Sequence, residues 1–110
     1  MALALEGAGF HPRSPNAEEP EYDIGWLTGD IVWIGEVKSL TKANEERQLR
    51  SALSQLLRYR QALTGLGYEV RAAVIAEHEP TDPTWKELLD EQGIDLVYPA
   101  NFEAFLTRLT

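Results

Sequence analysis

Residues 22–39 constrain this chain more than any other stretch. Two runs rich in β-branched and aromatic residues, 22–27 (YDIGWL) and 31–39 (IVWIGEVKS), flank a short Thr28-Gly29-Asp30 turn. Such runs favour extended backbone, and a glycine-bearing turn between them predicts a β-hairpin. If Gly29-Asp30 is a two-residue loop, Thr28 faces Ile31 and paired residue numbers sum to 59. Asp23 then lies directly opposite Glu36. Lys38, two residues further on, shares their face because strand side chains alternate. A three-residue loop would shift the pairing by one and undo this alignment.

The remaining elements follow from caps and breakers. Residues 1–9 read as the end of a short helix that Gly7 and Gly9 can stop, and 11–20, with three prolines, as irregular. A long helix is predicted from Asn44, an N-cap with acids behind it, to Leu63, closed by Gly65 and Gly67. A buried strand follows at 68–76. Asp82-Pro83 then opens a helix through Glu91, Gly93 stops it, and 94–98 is a short strand. Asn101 is expected to cap a last helix ending near Leu109. Hairpin, helix, strand, helix, strand, helix implies one α/β domain, a mixed sheet flanked by helices. The helix from 44 to 63 would be the crossover between two parallel strands.

Composition narrows the chemistry. There are no cysteines, so disulfides and thiolate metal sites are ruled out. No apolar run approaches a membrane span and no signal peptide is evident, so the expected location is cytoplasmic. The net charge of −8 argues against a nucleic-acid partner. Its distribution softens that objection: residues 38–71 hold seven basic side chains against three acids, leaving −12 on the rest. A local basic field therefore permits DNA without requiring it.

Two carboxylates placed opposite each other repel, an arrangement a purely structural hairpin avoids. A divalent cation turns that repulsion into attraction, and Mg²⁺ commonly takes one or two carboxylates plus water and phosphate oxygens. A nearby lysine could position the attacking water or stabilise charge on the phosphate. Glu-x-Lys alone is weak, since a charge pair on an exposed strand face is its ordinary explanation. Here Val32, Ile34 and Leu40 share the face of Glu36, while Ile31, Trp33 and Val37 occupy the other, so both faces are expected to be buried. Charges at the edge of a core need partners.

The helix adds a second signal. Leu49, Leu53, Leu56, Leu57 and Leu63 fall on one apolar face, and Arg47, Arg50, Ser54, Arg58 and Gln61 on a solvent face. Gln48, Ala52, Gln55 and Tyr59 form a third stripe that could face the carboxylates. His11 and His78 lack metal-ligand spacing, and Trp26, Trp33 and Trp85 read as core.

Asp23, thirteen positions ahead of Glu36-Val37-Lys38, with a following helix bearing Gln55-Leu-Leu-Arg-Tyr59, resembles the PD-(D/E)XK nuclease superfamily in its RecB-like branch with the Gln-x-x-x-Tyr motif. The resemblance covers roughly residues 20–100. It implies a restriction-endonuclease-like mixed sheet with a central hairpin flanked by helices, and hydrolysis of DNA phosphodiesters in defence or repair. It makes Asp23, Glu36 and the Val37 carbonyl ligands of Mg²⁺ or Mn²⁺, and Lys38 the water-positioning residue. Gln55 and Tyr59 would support the site or contact substrate, and Lys42, Arg47, Arg50 and Arg58 would bind phosphates. Two departures stand out. Tyr22 replaces the family's proline, and only Glu6 is available as the acid of the first helix. The sequence does not separate DNA from RNA. Cutting two strands with one small site would favour a homodimer, and the short N-terminus would suit a domain of a larger protein. The alternative is a catalytically inactive nuclease-fold module for nucleic-acid binding or dimerisation.

Overall fold

The hairpin forms as its turn chemistry requires. In a computed structural model that describes residues 23–109, β1 (Ile24–Thr28) and β2 (Ile31–Lys38) pair antiparallel. The register runs from Ile24 opposite Gly35 to Thr28 opposite Ile31, the expected alignment. Gly29 has a φ of 59°, and no described residue other than glycine takes a positive φ. This is the II′ pattern, with glycine at the first central position, whose twist matches that of the flanking strands. The expected N-terminal helix, the proline-rich segment, Glu6, His11 and Tyr22 lie outside the described residues.

Helix α1 (Glu45–Gly65) follows, then β3 (Glu69–Ala76), α2 (Thr84–Glu91), β4 (Ile94–Val97), a 3-10 turn (Pro99–Asn101) and α3 (Phe102–Leu109). The sheet order is β1-β2-β3-β4, with β3 parallel to β2 and β4 parallel to β3. The mixed sheet flanked by helices is therefore present. Among the described residues, however, the hairpin forms one side of the sheet rather than its centre. Both later strands add beyond β2, which leaves β1 at the edge.

The two asparagine caps work differently from expectation. Asn44 does not bond forward into α1. Its Oδ1 accepts the Thr41 N–H at 2.7 Å while Thr41 Oγ1 accepts the Asn44 N–H at 3.1 Å, folding the loop back on itself. Asn101 likewise reaches back, accepting the Tyr98 N–H and donating to the Leu96 carbonyl, both at 2.8 Å, so it fastens the end of β4. Asp82 does act as a cap, accepting the Thr84 N–H at 2.9 Å.

Each sheet face carries its own core. Val32, Ile34, Val74 and Leu96 pack beneath Leu49, Ala52, Leu56 and Leu63 of α1 and Trp85 and Leu89 of α2. Ile24, Trp26, Trp33, Ile75 and Val97 pack beneath Phe105 of α3. The core thus extends beyond residue 100. Trp26 and Trp33 are direct cross-strand partners, stacked at 5.5 Å, and Phe105 meets both edge-on. Gly35 makes this packing possible. A Cβ there would lie 2.8 Å from Ile75 Cδ1 and 2.9 Å from Ile24 Cγ2, closer than real contacts allow. Among the described residues, no helix is long and apolar enough to cross a membrane.

Candidate metal centre

Asp23 stands one residue before β1, where the established register places it opposite Glu36. Its Oδ2 accepts the Val37 N–H at 2.9 Å. The Val37 amide therefore points toward β1, and the Glu36 amide, one residue back, points toward β3. Asp23 and Glu36 thus form a pair without mutual backbone hydrogen bonds, the closer of the two antiparallel pair types, with Cα atoms typically about 4.5 Å apart. Both alternate onto the face covered by α1, because Glu36 follows Val32 and Ile34 there. In extended backbone the carbonyl and N–H of one residue point the same way, so the Val37 carbonyl also lies on the Asp23 side.

Glu36 is 2% exposed, and its Oε1 is buried with no hydrogen-bond partner among the described residues. Burial raises its pKa to about 7, and the Asp23 carboxylate pushes the same way. Lys38 opposes them: its Nζ lies 3.9 Å from Glu36 Oε2, and its side chain is only 14% exposed. A buried carboxylate oxygen without a donor is costly. Two hard oxygen donors face each other beside an available backbone carbonyl, which suits a small oxygen-preferring divalent cation. No cluster of three or more His, Cys, Asp or Glu occurs among the described residues. An ion here would complete its shell with water and phosphate oxygens, as Mg²⁺ does.

One expectation for this strand fails. Val37 is not buried but 49% exposed, because α3 covers the sheet around Trp26 and Trp33 and leaves the end of β2 open.

The helix residues divide. Gln55 and Tyr59 are half-buried on α1, which packs on the Glu36 face of the sheet. Gln55 Oε1 accepts the Ser51 hydroxyl at 3.2 Å, one turn earlier, so this oxygen is engaged within its own helix. Tyr59 packs against the core of that face. Arg47, Arg50, Arg58 and Lys42 are exposed, as their positions on and before the helix predict. Arg50 is paired with Glu46 at 3.0 Å and Arg58 donates to Gln61 at 2.9 Å.

Compared with protein-family models, curated proteins and solved structures, the chain matches none.

The structure also brings forward Glu45, which the sequence did not single out. Glu45, 6% exposed, accepts the Thr81 N–H and hydroxyl at 2.9 Å each and the Asp82 N–H at 3.3 Å. Burial raises its pKa, but these three donors outweigh it and hold the carboxyl below its ordinary value. No periodicity links positions 36 residues apart, so only the fold exposes this tether. Glu45→Ala strands three donors, and loss of about 1–3 kcal/mol is expected in urea denaturation at neutral pH. Nearby, His78 has both ring nitrogens on carbonyl oxygens, Nδ1 to Glu79 at 3.0 Å and Nε2 to Leu40 at 2.7 Å. Those two acceptors favour the doubly protonated ring and raise its pKa above that of an ordinary histidine.

Proposed function

We propose that this protein is a metal-dependent nuclease, hydrolysing DNA phosphodiesters at the end of its hairpin on a restriction-endonuclease-like core. The observation that carries this reading is Glu36: a buried carboxylate with an unsatisfied oxygen, opposed by Asp23 and flanked by Lys38. Asp23, Glu36 and the Val37 carbonyl would hold Mg²⁺ or Mn²⁺. Such an ion, when bound, supplies Lewis acidity toward the phosphodiester and lowers the pKa of water. Asp23 is held toward the site by its bond to the Val37 N–H. Lys38 presents a compact cation at the mouth, where it can orient the attacking water and offset charge developing on the phosphate. Gln55 and Tyr59 support this face from α1, and the reading places the protein in the cytoplasm.

The test is calorimetric titration of Mn²⁺ into wild type and Asp23→Asn, paired with cleavage assays on linear, circular and branched DNA. The wild type should bind the ion and cut, while the variant should bind weakly and be inactive yet folded. Equal Mn²⁺ binding by the two proteins would refute the site.

The basic face of α1 gives a separate expectation. Replacing Arg47, Arg50 and Arg58 together should weaken DNA binding and flatten its salt dependence, by about one unit of logarithmic slope for each phosphate no longer neutralised. The pairing of Arg50 with Glu46 makes Arg50 the smallest contributor. An unchanged slope in fluorescence anisotropy would place the DNA elsewhere.

A further inference from the structure

The carboxylates occupy one face at the end of β2, and the other face of that strand end opens onto a cleft. Its volume is about 580 Å³, and it lies between Val37, Ile75 and Val97 on the sheet and Ala100, Phe102 and Glu103 leading into α3. Ligand cavities commonly span roughly 300–1,000 Å³. Open α/β sheets also bind ligands beyond the carboxyl ends of their strands.

Three properties select the occupant. The sheet side is apolar and includes Val37, which leaves half its surface open to the cleft and solvent, while Phe102 offers a half-buried ring. The charged side chains lining it are Lys38, at the border with the carboxylate site, and Glu77 and Glu103, both exposed. Two carboxylates repel phosphate and can accept hydrogen bonds from amino groups. Lastly, Val37 and Lys38 belong both to the cleft lining and to the proposed catalytic site, since Lys38 Nζ lies 3.9 Å from Glu36 Oε2. A flat, uncharged, amino-bearing group joined to a phosphate lying beside Lys38 satisfies all three.

We propose that this cleft receives an unstacked nucleobase adjoining the phosphate that a divalent ion at Asp23 and Glu36 would hold beside Lys38. The proposal rests on the nuclease reading and names its substrate class: single-stranded or frayed ends, whose bases are free to leave the stack. A paired, stacked base cannot offer its flat face to Phe102 without first being extruded.

The experiment compares two twelve-residue single strands, oligodeoxycytidylate and an abasic deoxyribose-phosphate strand, by fluorescence anisotropy with Ca²⁺ replacing Mg²⁺. Wild type should bind the base-bearing strand at least tenfold more tightly. Ala100→Trp, which fills the cleft from an exposed position, should bring the two affinities within threefold while the abasic affinity stays unchanged. Ala100→Leu, a smaller obstruction, should narrow the gap in the same direction and covers the case in which the tryptophan variant does not fold. Equal binding of both strands by wild type, or a gap that survives both substitutions, would overturn the subsite alone. If neither strand binds, the nuclease reading falls and the subsite falls with it.

Discussion

Lys38→Ala should slow single-turnover phosphodiester cleavage by about 10²–10³-fold, the range expected when one preorganised electrostatic stabiliser is removed from a transition state. Affinity for DNA should change little, because the interaction strengthens only as charge develops on the phosphate. Metal affinity behaves differently. Lys38 is the cation that counters the upward push on Glu36, so its loss leaves that carboxyl harder to ionise. The comparison belongs at pH 9, well above the value of about 7 that Glu36 has in the wild type. Lys38→Arg should not rescue the rate: the lysine side chain, 14% exposed, sits in a confined position that suits a compact ammonium better than a planar guanidinium fork. A lysine serving only as an ion-pair partner would behave oppositely. If the alanine variant melts lower yet cleaves at the wild-type rate, the catalytic role is wrong.

Glu36→Gln should make the metal-free protein more stable at pH 8 and abolish its stabilisation by Mg²⁺. The raised pKa sets the sign. Between the ordinary value of 4.5 and about 7, folded Glu36 keeps a proton that the unfolded chain has released. Folding stability therefore falls as pH rises through this window and levels off above it, a loss of roughly 3 kcal/mol for such a buried group. The glutamine carries no charge, and its amide can donate to Asp23, so the variant lacks this loss. His78 slopes in the same direction, because stability gained from its elevated pKa is present below the ordinary histidine value and lost as pH rises past the elevated one. Subtracting the variant's profile from that of the wild type cancels the histidine and isolates Glu36. Urea denaturation from pH 4.5 to 8.5 makes the measurement, and parallel profiles would mean that Glu36 ionises normally.

The hairpin register was legible because one glycine-bearing turn fixes it, and the opposition of Asp23 and Glu36 follows by counting. The three faces of α1 were legible too, since a helix of this length repeats its pattern often enough to be unambiguous: Arg47, Arg50, Ser54, Arg58 and Gln61 all lie toward solvent, and Leu49, Leu56 and Leu63 are buried. Long-range and end effects were not legible. Asn44 and Asn101 carry cap-forming side chains, yet each found a backward partner, Thr41 in one case and Leu96 with Tyr98 in the other. The exposure of Val37 depends on how far α3 reaches over the sheet, which no strand pattern encodes. The cleft beside it is a property of three strand ends and a turn meeting in space, and so had no local signature.

The Trp26–Trp33 stack acts as a ruler for the carboxylate pair three pairs away. A slip of β1 by one residue would turn Trp26 from the α3 core to the opposite face and break its stack on Trp33, which β3 holds in place, and the core would resist it. The spacing of Asp23 and Glu36 is thus maintained by oil-like contacts that never touch them. Their own repulsion need not be relieved for the hairpin to stay in register. That separation gives the strand ends freedom: other donor residues could stand at 23 and 36, histidine or asparagine for instance, and inherit the same placement. The hairpin is in this sense a socket, with its alignment fixed at one end and its choice of side chains left open at the other.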